Sequence, residues 1–133
     1  VDTQLIWYAA AAILLFFFVR RTLRMRALKQ YTTSEIEARL KSKGGLLLLD
    51  VRTDAERQSG SIRGSLHIPI ASLRTRMKEL EHYKSREIIC YCASGSRSAS
   101  AALLLNKNGF NAGNLRGGMG EWNFAHRADA AQP

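Results

Sequence analysis

Two kinds of apolar pattern divide the chain. Residues 5–19 (Leu-Ile-Trp-Tyr-Ala-Ala-Ala-Ala-Ile-Leu-Leu-Phe-Phe-Phe-Val) are apolar without a break, whereas from residue 31 short apolar runs alternate with helix-period segments. Thr32 and Glu35 have the spacing of a capping box, and Ile36 and Leu40 mark the apolar face of a helix stopped by Gly44-Gly45. Leu46 to Leu49 and Ile88 to Cys92 are continuous apolar runs, the signature of parallel strands covered on both faces. His67-Ile68-Pro69, after a turn flanked by Gly60 and Gly64, reads as a short strand stopped by proline. Ser72 is placed to cap a helix with Leu73, Met77 and Leu80 inward and Arg74, Arg76 and Lys78 outward. Ser98 is a good N-cap for a helix through Leu105, closed by Gly109 before a last strand at Phe110 to Leu115. Gly117-Gly118 then turns the chain, Trp122 packs a short final helix, and residues 125–133 form a frayed polar tail. This alternation predicts an α/β fold, a parallel sheet with helices on both faces.

As a helix, residues 5–19 reach about 22 Å, short of a hydrocarbon core of roughly 30 Å, and Thr22 and Leu23 extend them. The run lacks amphipathic period, and its basic residues follow it, as a cleaved signal peptide's do not. A single transmembrane anchor fits best, in the bilayer through residues 5–23, with Trp7 and Tyr8 at one interface. The formal net charge of +9 is lopsided, since Arg20, Arg21, Arg24, Arg26 and Lys29 crowd the stretch after the anchor. The positive-inside rule then puts the rest of the chain in the cytoplasm. The expected organisation is an anchor at 1–23, a basic juxtamembrane linker at 24–30, a domain at 31–124 and a tail at 125–133. No aromatic-interleaved basic patch accompanies the charge, so nucleic acid is not an expected partner. Cys90 and Cys92, one residue apart, make neither a disulfide framework nor a zinc ligand set, so no metal and no cofactor are expected.

The candidate chemistry lies at the end of the second apolar run. Cys92 closes a strand, Ala93, Ser94, Gly95, Ser96 and Arg97 make a small polar loop, and Ser98 opens a helix. Loop N–H groups, the helix dipole and the Arg97 guanidinium would together favour thiolate over thiol at Cys92. A lone cysteine is more often an inert core residue, and Cys90, inside the strand, keeps that reading. Arg52 and Glu56 are expected to form a structural ion pair.

The segment Cys92-Ala-Ser-Gly-Ser-Arg97-Ser98 resembles the active-site loop of the rhodanese family of sulfurtransferases. Asp50-Val51-Arg52, with Glu56 and Gly60-Ser-Ile62-Arg-Gly64-Ser-Leu66-His-Ile68-Pro69, is similar to that family's upstream signature, and Gly117-Gly118-Met-Gly-Glu-Trp122 to its C-terminal one. The resemblance implies that Cys92 carries a persulfide and that residues 93–98 bind a small anionic donor such as thiosulfate. It also implies that Asp50 supports the loop, and it gives His67 no catalytic part. The acceptor would be thiophilic: cyanide, a thiol or a protein cysteine. Two alternatives stay open. One is an assembly or sulfur-relay subunit with a membrane-protein partner. The other is a cysteine phosphatase or arsenate reductase, whose loops hold one more residue between cysteine and arginine than the four here.

Overall fold

The computed structural model describes residues 2–42 and 45–130. Five parallel strands, β1 (Gln30–Tyr31), β2 (Leu46–Asp50), β3 (Leu66–His67), β4 (Glu87–Tyr91) and β5 (Asn111–Leu115), lie in the order β1-β5-β4-β2-β3. β4 is central, and Ile88 to Tyr91 are completely buried, as its uninterrupted apolar sequence requires.

Alternation along each strand builds a core on each face. Leu47, Leu49, Ile88, Cys90 and Cys92 face Ala101, Ala102 and Leu105 of α5 (Ser96–Lys107), with Leu73 and Leu80 beside them. Leu48, Ile89, Tyr91 and Leu115 face Ile36 of α2 (Thr33–Lys41) and Met119 of α6 (Gly118–Ala130). The sheet with helices on both faces is therefore as expected. The capping box at the start of α2 is also present, with Thr32 Oγ1 accepting from the Glu35 N–H and Glu35 Oε2 from the Thr32 N–H.

Several details differ from the sequence reading. Leu40, expected inward, is 43% exposed in the last turn of α2, which ends at Lys41. Gly44, half of the expected glycine stop, lies outside the described residues. Leu73 and Leu80 are buried as expected, but the segment is a short α4 (Leu73–Arg76) between 3-10 turns at Ile70–Ser72 and Met77–Tyr83. The Ser72 hydroxyl makes no capping bond there, since a 3-10 turn already precedes the helix. Residues 125–130 of the expected tail continue α6, residues 131–133 lie outside the described residues, and His126 Nε2 meets Glu37 Oε1 at 2.6 Å. The short α3 (Asp54–Gln58) carries a second capping box, between Thr53 and Glu56.

At the N-terminal side, α1 (Thr3–Ala27) is one 25-residue helix, long and apolar enough to cross a membrane, with none of its residues buried. The stretch 24–30 continues the first helix before the chain enters the sheet. It holds the last turn of α1, then Leu28, buried in the core beside α5, then the start of β1. β1 is invisible as a strand in the sequence because it is two residues long, too short for any alternation to show. Lys29 O accepts from the Asn114 N–H and Tyr31 O from the Arg116 N–H, covering the otherwise open edge of β5.

Candidate active site

Parallel strands end together, so the loops after β2, β4 and β5 meet at one sheet edge, where open α/β sheets build sites. Cys92 is the first residue beyond β4 and is 0% exposed. Its carbonyl accepts from the Met119 N–H at 2.8 Å, and that of Ala93 from the Gly120 N–H at 3.1 Å. The first turn of α6 thus clamps the chain where the thiol leaves the sheet. Gly118 makes this approach feasible: its φ is +54°, and a Cβ there would lie 2.2 Å from the Cys92 oxygen.

The loop is short because Gly95, at φ +102°, turns the chain directly into α5. Gly95 is therefore the N-cap residue, and Ser98, expected in that role, lies in the first turn with its hydroxyl free to point inward. Two donors converge on Cys92 Sγ, the Gly95 N–H at 3.0 Å and the Ser98 hydroxyl at 3.3 Å. Burial by itself would push the thiol up. Hydrogen bonds from the Ser98 hydroxyl and from the N–H groups of Ser98, Gly95 and Ser94 outweigh it and hold Cys92 below its ordinary value of 9.0. Cys90, equally buried but with no donors, is pushed far up by desolvation and stays a thiol. Ala93, Ser94 and Ser96 are on the exposed side of the loop.

Asn114 was missed by the sequence reading. It is 3% exposed; its Oδ1 lies 2.6 Å from the Ser98 hydroxyl and competes with Cys92 Sγ for that single proton, while its Nδ2 donates to Gly95 O at 3.0 Å and to Gln30 Oε1 at 2.9 Å. It ties both sulfur donors to β5. The available signal was a carboxamide between Gly113 and Leu115 in the interior of a strand, since a buried amide must find partners.

Arg97 is at the site but is not a free charge. Its guanidinium is held by both Glu56 oxygens at 2.7 and 2.8 Å. That pairing raises Arg97, with a smaller contribution from Cys92 nearby. Its hydrogen bonds lower Glu56 from 4.5 to about 2, so the pair's contribution is lost only as pH falls from the ordinary carboxylate range through about 2. The expected Arg52–Glu56 pair does not form. Arg52 instead grips Asp50 with Nε at 2.9 Å and Nη2 at 2.7 Å, because two positions along an extended segment bring it back over its neighbour.

Asp50 is completely buried, its carboxylate taken by Arg52 and, at 3.3 Å, by Arg57. None of its hydrogen bonds reaches residues 93–97. Arg52 also donates to Gly60 O at 2.7 Å, so the pair braces the segment 52–60 that carries Glu56. The ring hydroxyl of Tyr91 joins the same region, against Ser65 Oγ and the Ile62 N–H.

Replacing Ser98 by alanine removes the donor that contributes most to lowering Cys92. The midpoint of iodoacetamide alkylation against pH should move upward relative to the parent, with the folded far-ultraviolet spectrum retained. An unchanged midpoint would mean that the backbone donors suffice.

A Rhodanese-like domain model matches residues 32–125. A sulfurtransferase of Allochromatium vinosum is 36% identical over 91 residues, 68% of this chain and 83% of its own. Among solved structures, a rhodanese-related protein from Thermoplasma volcanium superposes with TM-score 0.65 at 30% identity, covering 79% of this chain and 95% of that one. A rhodanese-like domain protein from Staphylococcus aureus gives TM-score 0.67 at 33% identity, over 71% and 91% of the two chains.

Proposed function

Because the chain belongs to the rhodanese-like family, whose relatives include sulfurtransferases, we propose that it moves a sulfane sulfur through a Cys92 persulfide while anchored in a membrane. The observation that carries this reading is the convergence of the Gly95 N–H and the Ser98 hydroxyl on Cys92 Sγ at the start of α5. Two donors and a helix N-terminus stabilise a thiolate, and they stabilise a persulfide anion for the same reason.

The first half-reaction begins when the Cys92 thiolate attacks the outer sulfur of thiosulfate. The donor's S–S bond breaks, and sulfite departs with the bonding electron pair. Cys92 is left bearing that sulfur as a persulfide anion; the Cys92 sulfur is oxidised by the new S–S bond and the departing sulfite carries the electrons. In the second half-reaction a thiolate or cyanide attacks that outer sulfur, and Cys92 thiolate is released. No external oxidant or reductant is consumed. Since Cys92 is fully covered, the loop at Ala93, Ser94 and Ser96 must open around the sulfur to admit the donor. Arg97, locked to Glu56, orients the loop and adds positive potential beside the thiol without serving as a free anion clamp. The role of Asp50 is to hold the segment carrying Glu56.

The proposed organisation is an anchor in residues 1–23, a helical neck to Ala27 and a catalytic body from Leu28, placed in the cytoplasm by the arginines after Val19. The anchor also favours a membrane-bound sulfur acceptor, in which case turnover would depend on that partner. A phosphatase reading is disfavoured by the four-residue interval between Cys92 and Arg97.

The test is an intact mass of the full chain in detergent after incubation with thiosulfate. A gain of about 32 Da, one sulfur on the nucleophile, is expected on the parent and equally on Cys90→Ser. A gain that Cys90→Ser abolishes would move the chemistry to the other cysteine. No gain would sink thiosulfate as the donor.

A further inference from the structure

The groove between α1 and α5 takes no part in sulfur chemistry. It encloses about 890 Å³ and has Phe17, Leu28 and Leu103 among its apolar lining. Four cations line it: Arg20, Arg21 and Arg24 from α1 and Lys107 from the last turn of α5. The α1 positions 17, 20, 21, 24 and 27 recur at helical spacing, so they form one stripe turned toward α5, and Leu28 follows directly after the helix. No carboxylate lines the groove, and among the described residues none of the four cations has a salt-bridge partner. Four unneutralised cations above an apolar floor call for an anion that carries an apolar part.

The topology says where the groove stands. α1 delivers the chain to the start of β1, and α5 to the start of β5. In a parallel sheet all strand starts lie on one edge, opposite the edge that carries Cys92. At 1.5 Å per residue, Arg24 lies about 7.5 Å beyond Val19, within the headgroup layer of roughly 5–8 Å that flanks the hydrocarbon. The geometry points to a binding site for the phosphate headgroup of an anionic phospholipid, closed on one side by the anchor and on the other by Lys107 of the catalytic body. This rests on the membrane reading above. The bound lipid would fix the body upright, with α5 as a rod about 18 Å long between the headgroups and the thiol. Cys92 would then face the aqueous side.

The experiment is native mass spectrometry of the full chain from micelles offered phosphatidylglycerol or phosphatidylcholine. One phosphatidylglycerol per chain should be retained in preference to phosphatidylcholine. Lys107→Glu, an exposed change outside the apolar run, should lower that retention about fivefold or more, the factor of one basic residue at an anionic surface. Arg24→Gln should lower it as well. Equal retention of the two lipids, no effect of either variant, or displacement by millimolar inorganic phosphate would overturn the lipid site. Extraction of membranes with alkaline carbonate separates the two readings. A chain that stays in the pellet without lipid preference loses only the headgroup site, whereas a chain that is released loses the anchor.

Discussion

Cys92→Ser is expected to lower thiosulfate-dependent sulfur transfer at least about a thousandfold, because the group that carries the covalent step is gone. The fold should survive the change. Serine is slightly smaller, and the Gly95 N–H and Ser98 hydroxyl that met sulfur at 3.0 and 3.3 Å can still find an oxygen acceptor. A serine hydroxyl has too high a pKa to ionise with the same donors, so they cannot restore a nucleophile. Steady-state transfer to cyanide, measured beside a thermal melt, checks both halves. Substantial activity in a folded Cys92→Ser chain would exclude the persulfide route through this residue. A collapse of the fold would make Cys92 a packing residue first.

Asp50→Asn should produce the largest loss of stability among single changes near the site. The carboxylate is fully buried and Arg52 is 5% exposed, so removal of one charge leaves the other buried and unmatched. Breaking such a pair costs about 3–5 kcal/mol, which for a domain of this size lowers the melting midpoint by roughly 10 °C or more. The sign with pH follows from the same pair. Desolvation raises the Asp50 carboxyl, but the Arg52 hydrogen bonds outweigh it and hold the group below 3.8. Its contribution is therefore complete above the ordinary carboxylate value and is lost as pH falls through the lower folded value. The gap between parent and Asp50→Asn should be full at pH 7 and narrow only in strong acid. A gap of less than about 1 kcal/mol at pH 7, the size of a solvated pair, would show that water reaches this carboxylate. Activity should fall with stability, since Asp50 acts on the loop only through the segment bearing Glu56.

Much of this was legible in the residues. Uninterrupted apolar runs at Leu46–Leu49 and Ile88–Cys92 read as strands covered on both sides, and the helix-period segments between them fit the parallel pairing that the sheet shows. The proposed place of the chemistry rests on the same kind of reading, a cysteine at a strand end before a small polar loop and a helix. The three signature stretches specified the family, and the model match over residues 32–125 agrees with them.

Other features depend on side chains meeting across distances the chain pattern does not encode. Opposite charges nearby in sequence made Arg52 and Glu56 look like partners, but burial of Asp50 claims Arg52, and Glu56 is left for Arg97, forty-one residues away. Asn114 reads as an unremarkable strand residue until Ser98 and Gly95 are seen on either side of it.

Local order, then, was determined by the sequence alone: which segments other than β1 are strands, where the apolar anchor-like helix lies, and which cysteine stands at a helix start. Periodicity and propensity act over a few residues, so they can be read from a line of letters. Tertiary structure alone decided which donors face the sulfur, which acid holds which arginine, and that the neck of α1 closes a basic groove with the far end of α5. Those outcomes are set by competition among buried polar groups for partners, and that competition is resolved only when the sheet brings distant residues to the same edge.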